Sequence, residues 1–135
     1  MHSRVREILS FALAGCAGFC VDAGAVVLLT SWAGLDLVSA KAVGFSLAVT
    51  VTWAFNRRFT FAKRAHPQWL REWLRYFWAN GLGGVINNGV YLVAVFSSQG
   101  LAQQPALAVA LGSVAGMFFN YGVSRWWVFR NTYKH

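Results

Sequence analysis

Charge is what this chain has least of. Only 12% of its residues are charged, about half of the roughly 25% that a soluble domain carries. Its acids are Glu7, Asp22, Asp36 and Glu72 alone. A chain of 135 residues that is 57% hydrophobic and 16% aromatic could bury a core but could not hide so many apolar side chains from water. That excludes an ordinary soluble domain and leaves the bilayer as the natural solvent. Catalytic sets are missing too. The chain has no Ser-His-Asp set, no carboxylate pair and no phosphate loop, and His2, His66 and His135 all lie outside the apolar runs. These absences argue against an enzyme and imply no cofactor. Cysteine is confined to Cys16 and Cys20, with no further Cys or His near enough in sequence to complete a metal site. A disulfide between positions four apart on a regular helix would be strained, so both read as small packing residues.

What is present is apolar sequence in four runs, about 8–32, 37–55, 76–98 and 105–123. Each meets the roughly 20 residues that a helix rising 1.5 Å per residue needs to cross about 30 Å of hydrocarbon. Val and Thr are frequent near 49–52. Strands there are still excluded, because an isolated strand in lipid leaves backbone groups unpaired and four strands cannot close a barrel. Short turns around 34–36 and 98–100 join the runs into pairs. The basic residues Arg4, Arg6, Arg57, Arg58, Lys63, Arg64, Arg71, Arg75, Arg125, Arg130 and Lys134 fall on one side and Lys41 alone on the other. Eleven against one places both termini and the central linker in the cytoplasm. It also explains the net charge of +8 without nucleic acid. The expectation is an all-α integral membrane protein, four transmembrane helices in two hairpins that enter and leave on the same side.

The two halves repeat each other. Arg6-Glu7-Ile8-Leu9 opens one and Arg71-Glu72-Trp73-Leu74 the other, 65 positions later. Asn56-Arg57-Arg58-Phe59-Thr60-Phe61 closes the first and Ser124-Arg125-Trp126-Trp127-Val128-Phe129 the second. This is the pattern of parallel repeats related by an axis along the membrane normal. We therefore expect a single membrane domain over 1–135, with repeat 1 at about 6–62, a linker at about 63–75 and repeat 2 at about 71–130. From 67 to 77, Trp69, Leu70, Trp73, Leu74 and Phe77 recur at helical spacing with Arg71, Glu72 and Arg75 on another face. That predicts a short amphipathic helix in the headgroup layer before the third span. Leu13-Ala14-Gly15-Cys16 imitates a lipoprotein cleavage box, but the apolar run continues well past Cys16, unlike a cleaved signal.

Asp22 is the sharpest anomaly, a carboxylate near the middle of the first span. Insertion scales charge roughly 2.5–3.5 kcal/mol for it, so a cavity, partner or substrate path is expected. Lys41 is the expected partner. The opposing positions, Asn87 and Leu107, carry no charge, which favours one asymmetric polar site. Asn80, Asn87, Asn88 and Asn120 add polar groups at or near the other spans, either to line that site or as interhelical glue. Small residues at Gly81, Gly83 and Gly84, at 40–44 and at 112–116 predict close helix packing, within the protomer or across a homodimer. Asn56, Arg57, Arg58 and Arg125 bring guanidinium groups to headgroup level beside aromatic rings, where they can anchor the helices or bind phosphate.

The chain resembles the GtrA-like family of small four-helix membrane proteins over nearly its whole length, from about Arg6 to Arg130. The marks are Gly15…Asp22, the Asn56-Arg57-Arg58-Phe59-Thr60-Phe61 helix end, and Asn120…Arg125-Trp126-Trp127-Val128-Phe129. Ser124 departs from the family, which tends to have Asn there. The resemblance implies translocation of a polyprenyl-phosphate-linked sugar across the bacterial cytoplasmic (inner) membrane for cell-surface polysaccharide synthesis. It makes Arg57, Arg58 and Arg125 candidates for the lipid phosphate, and Asp22, Asn87 and Asn120 the lining of the sugar path, with Lys41 as an outer phosphate acceptor. Two alternatives stand beside it: a non-transporting adaptor that recruits a membrane glycosyltransferase, and a small proton-coupled multidrug-type exporter using Asp22. A homo-oligomer is expected, because one protomer of this size encloses little volume.

Overall fold

Helices follow wherever the chain is apolar, and each begins or stops for a local reason. The structure is a computed structural model that describes residues 2–130, so Lys134 and His135, counted above, lie outside the described residues. Helix α1 runs His2–Ser31, α2 Leu37–Phe55, α3 Trp69–Ser97, α4 Gln99–Gln103 and α5 Pro105–Val123. Gly34 at φ 68° turns the chain after α1, and Asp36 caps α2 by accepting the amide of Ser39 at 3.0 Å. After α3, the turn expected at 98–100 is instead the one-turn helix α4. Ser98 caps it by accepting the Leu101 amide at 3.4 Å. Among the described residues all regular structure is helical, and four helices are long and apolar enough to cross a membrane. The chain is a multi-pass membrane protein.

Both α2 and α5 have nineteen residues and pass into a π-helical turn of five, Asn56–Thr60 and Ser124–Val128. In each turn the first residue's carbonyl accepts an amide five positions on, Phe61 to Asn56 at 2.7 Å and Phe129 to Ser124 at 2.8 Å. Such turns are rare and cluster at functional sites. A 3₁₀ turn at Ala62–Arg64 follows the first. The segment expected as a separate amphipathic helix is the beginning of α3, which continues unbroken from Trp69.

Helices α1 and α2 form one hairpin, α3 and α5 the other. Equivalent contacts recur with an offset of 65 positions in the first helix and 68 in the second. Gly18 lies against Thr52 as Gly83 lies against Asn120, and Gly44 lies against Asp22 as Gly112 lies against Asn87. In this register the position opposite Lys41 is Val109, not Leu107. The small faces of α2 and α5 are used inside their own hairpins, where a β-carbon on Gly112 would meet the Asn87 carbonyl.

The buried core sits at one end. Phe61 and Phe129 stack at 4.8 Å and 22°, ringed by Phe11, Tyr76 and Tyr121. Phe11 meets Phe61 edge-on at 6.2 Å, and Tyr76 meets Phe129 likewise at 6.1 Å. Each such pair adds about 0.5–1.5 kcal/mol beyond its area. This is also the basic end, since the π-helical turns, the start of α1 and the start of α3 all lie here. Away from it, large apolar side chains face outward, Phe19 being 73% and Phe96 84% exposed. Water does not tolerate such a surface, but hydrocarbon does.

Candidate functional site: a polar cleft above an ion-paired base

Joined at the basic end, the hairpins leave a cleft of 570 Å³ between them, lined by α1, α2, α3 and α5. Its polar wall comprises Asp22, Thr52, Asn80, Asn87, Ser113 and Asn120. Among the described residues no lysine or arginine lines it. Its volume falls within the roughly 300–1,000 Å³ of small-molecule sites. Cys16 and Cys20, read from sequence as small packing residues, are exposed on its α1 wall.

Asp22 stands fifteen residues above Glu7, and Lys41 fifteen before Asn56, so both sit about 22 Å from the base at 1.5 Å per residue. Lys41 Nζ forms an ion pair with Asp22 Oδ2, its own side chain 60% exposed while that of Asp22 is 17% exposed. The close approach of Gly44 makes room for the carboxylate. Asp22 Oδ1 is buried without a partner, as is Asn120 Oδ1 lower on the opposite hairpin. Each is an acceptor waiting for a donor, and an unmet buried acceptor costs about 1–3 kcal/mol. Asn87 faces Gly112 at the height of Asp22, where no cation is available from Val109.

At the basic end the remaining sequence candidates are mostly spent on the fold. Asn56 is buried, donating to Tyr76 Oη at 2.9 Å and accepting from Thr60 Oγ1 at 2.8 Å. Arg57 donates to Glu72 Oε1 at 2.7 Å and to the His66 carbonyl at 3.0 Å, and its guanidinium lies 5.8 Å from the Trp53 ring centroid. The Glu72 side chain is fully buried and also accepts Trp53 Nε1 at 3.0 Å and the His66 amide. Arg125 pairs with Glu7, which accepts Tyr121 Oη at 2.8 Å as well. Each hairpin's opening acid therefore holds the closing arginine of the other hairpin. Arg58 remains exposed, its guanidinium over Phe59.

The structure thus brings Asp22, Lys41, Asn87 and Asn120 to the cleft or its rim, and leaves Asn56, Arg57 and Arg125 in the joint beneath it. Glu7 and Glu72 were missed as partners, although a signal was there. They are two of four acids in the chain, and each follows an arginine at the same place in its half. No group of three metal-ligating side chains occurs among the described residues. Chemically the cleft offers hydrogen-bond acceptors and amides to a polar guest.

A family model described as GtrA/DPMS, transmembrane domain, matches residues 10–129. No curated protein matches the chain.

Proposed function

This chain belongs to the GtrA/DPMS transmembrane family, and we propose on that footing that it translocates a polyprenyl-phosphate-linked sugar across a bacterial inner membrane. The observation that carries the reading is the polar cleft. Hydrocarbon excludes a hydroxyl-rich headgroup, and Asp22, Asn87 and Asn120 provide hydrogen-bonding groups at the depths where it would otherwise be unsolvated. The buried acceptors Asp22 Oδ1 and Asn120 Oδ1 suit sugar hydroxyls. With Arg57 and Arg125 engaged by carboxylates, Arg58, Lys63 and Arg64 take over as the first contacts for the phosphate at the basic end. Translocation needs no chemistry from the protein, so the chain acts as a carrier and not as an enzyme. The gradient of the lipid-sugar or of an ion would drive it.

The proposal includes the layout read from sequence: one membrane domain, two parallel repeats, and the basic end with both termini in the cytoplasm. Assembly with itself would complete the walls of the cleft. The test is flipping of a labelled polyprenyl-phosphate glucose in proteoliposomes. Wild type should accelerate it and Asp22→Asn or Asn120→Ala should abolish the acceleration. A folded, reconstituted wild type that leaves the rate at the protein-free value would overturn the reading.

One observation favours the adaptor alternative. Leu70 and Arg71 are exposed at the start of α3, while Glu72 points inward. The face they form is free to hold a membrane glycosyltransferase. On this reading Arg71→Glu should remove the partner from the purified complex, and Asp22→Asn should not.

A further inference from the structure

The two seams along which the hairpins meet are not alike. Between α2 and α3, Trp53 meets Trp69 at 6.4 Å, Trp73 Nε1 donates to Thr50 at 3.1 Å, and Phe45 meets Phe77 edge-on at 5.5 Å. Phe45 lies eleven residues above the first π-helical turn, so this seam is closed to about 16 Å from the base. Between α1 and α5, the hydrogen-bond and ring contacts are Tyr121 and Arg125 to Glu7, and Phe11 to Tyr121 at 5.6 Å. They stop at Phe11, about 6 Å above Glu7.

The cause lies in two positions. In the register of the shared contacts, the counterpart of Phe77 is Ala12 and that of Phe45 is Ser113. Where one seam has two phenyl rings, the other has a methyl and a hydroxymethyl group. Ala12 and Ser113 both line the cleft, as do Cys16, Phe19, Cys20 and Met117 beside them. Cys16, Phe19, Cys20 and Ser113 are exposed.

We infer that the α1–α5 seam is a lateral portal through which a phosphate-linked lipid keeps its hydrocarbon chain in the bilayer while its headgroup occupies the cleft. The inference rests on the proposed function and adds the route. Withdrawing a hydrocarbon chain from lipid carries a cost that grows with every CH₂, and no cleft of this size offsets it for a long isoprenoid. A headgroup carrier of this kind needs a slot open to lipid along the cleft, and the α2–α3 seam is shut by Phe45 and Phe77. The portal is apolar at Phe19 and Met117, facing the chain, and polar behind at Asn80, Asn87 and Asn120, facing the head.

The test reads where the chain lies, independently of transport. Full-length protein in proteoliposomes is irradiated with polyprenyl-phosphate glucose bearing a diazirine on its first isoprene unit, and the adducts are mapped. Labelling is expected at Phe19 and Met117, which line the cleft at the α1–α5 seam, and not at Phe77, which lies in the α2–α3 seam outside the cleft lining. In Ala12→Phe/Ser113→Phe, which copies the closed seam, the α1–α5 adducts should disappear and flipping should fall to the protein-free rate. In Phe45→Ser/Phe77→Ala, the α2–α3 seam should gain adducts even if the filled variant fails to fold. Equal labelling of both seams in wild type, or undiminished flipping through a folded, filled variant, would overturn the portal. Adducts at the α1–α5 seam without any flipping would keep the portal and sink the transport reading instead.

Discussion

At the basic end the two hairpins do the same things with the same kinds of residue, whereas about 22 Å away they part company. Below, each has a π-helical turn, an aromatic ring in the central stack, and an arginine held by the other hairpin's opening acid. Above, one presents the Asp22–Lys41 pair and the other an uncharged Asn87 opposite Val109. One seam is filled by Phe45 and Phe77, and the other has Ser113 and Ala12 in their places. Matched features bear the joint between the hairpins, and mismatched features line the cleft. A guest such as a sugar has no twofold symmetry, so a cleft built to hold it has reason to lose its own.

The joint should be the least tolerant of change, and unequally so. The Glu72 side chain is fully buried although its partner Arg57 keeps 28% exposure, while Glu7 and Arg125 keep 17% and 12%. Neutralising the buried Glu72 carboxylate with Glu72→Gln weakens its bonds to Arg57, Trp53 Nε1 and the His66 amide and should cost about 1.5–3 kcal/mol, read as a lower unfolding midpoint in detergent. Glu7→Gln should cost less, because the Glu7 carboxylate is itself partly exposed and serves two donors where Glu72 serves three. Equal losses would show that burial does not distinguish the two.

The charge asymmetry comes next. Asn87→Asp places a carboxylate where no cation stands, at about 2.5–3.5 kcal/mol by insertion scales, and adding Val109→Lys should recover most of it. Failure of the second change to rescue would mean that the hairpins do not share the register assigned to them.

Smaller effects should come from the glycines at the helix crossings. A β-carbon at Gly83 would strike the Asn120 amide, and one at Gly18 the Thr52 methyl. Each Gly→Ala change should destabilise by about 1–3 kcal/mol. Gly15→Ala and Gly84→Ala meet nothing within 4 Å and serve as controls for those two.

The smallest difference lies in the turns. Asp36 caps α2, and its carboxyl is held below the usual carboxylate range, first by hydrogen bonding to Ser39. Gln104, its counterpart before α5, makes no side-chain cap. Stabilisation by Asp36 is complete above the ordinary carboxylate pKa and is lost as pH falls through the lowered folded value. Protection of the Ser39 amide, taken relative to its intrinsic exchange rate at each pH, should therefore fall in acid, while that of Leu107 should show no such step.

Much of the fold was legible because lipid leaves few options. Apolar runs of the right length must be helices, and the spacing of Arg6-Glu7 to Arg71-Glu72 exposed the two halves before any contact was known. Asp22 and Lys41 were legible for the same reason, since charges in a span attract notice and seek each other. Asn56, Arg57 and Arg125 were harder. A basic residue at headgroup level looks the same in sequence whether it meets a phosphate or a carboxylate of its own chain. The continuity of α3 through its amphipathic start was likewise hidden, because Glu72 reads as a surface residue until Arg57, Trp53 and His66 surround it.

What the sequence by itself determined was the solvent and the number and kind of spanning elements. These follow from local composition and length, which no later contact can reverse. What only the tertiary structure decided was the use of each polar group. The free energy of a buried charge or amide depends on the atoms within a few ångströms of it, and here many of those atoms come from the other half of the chain.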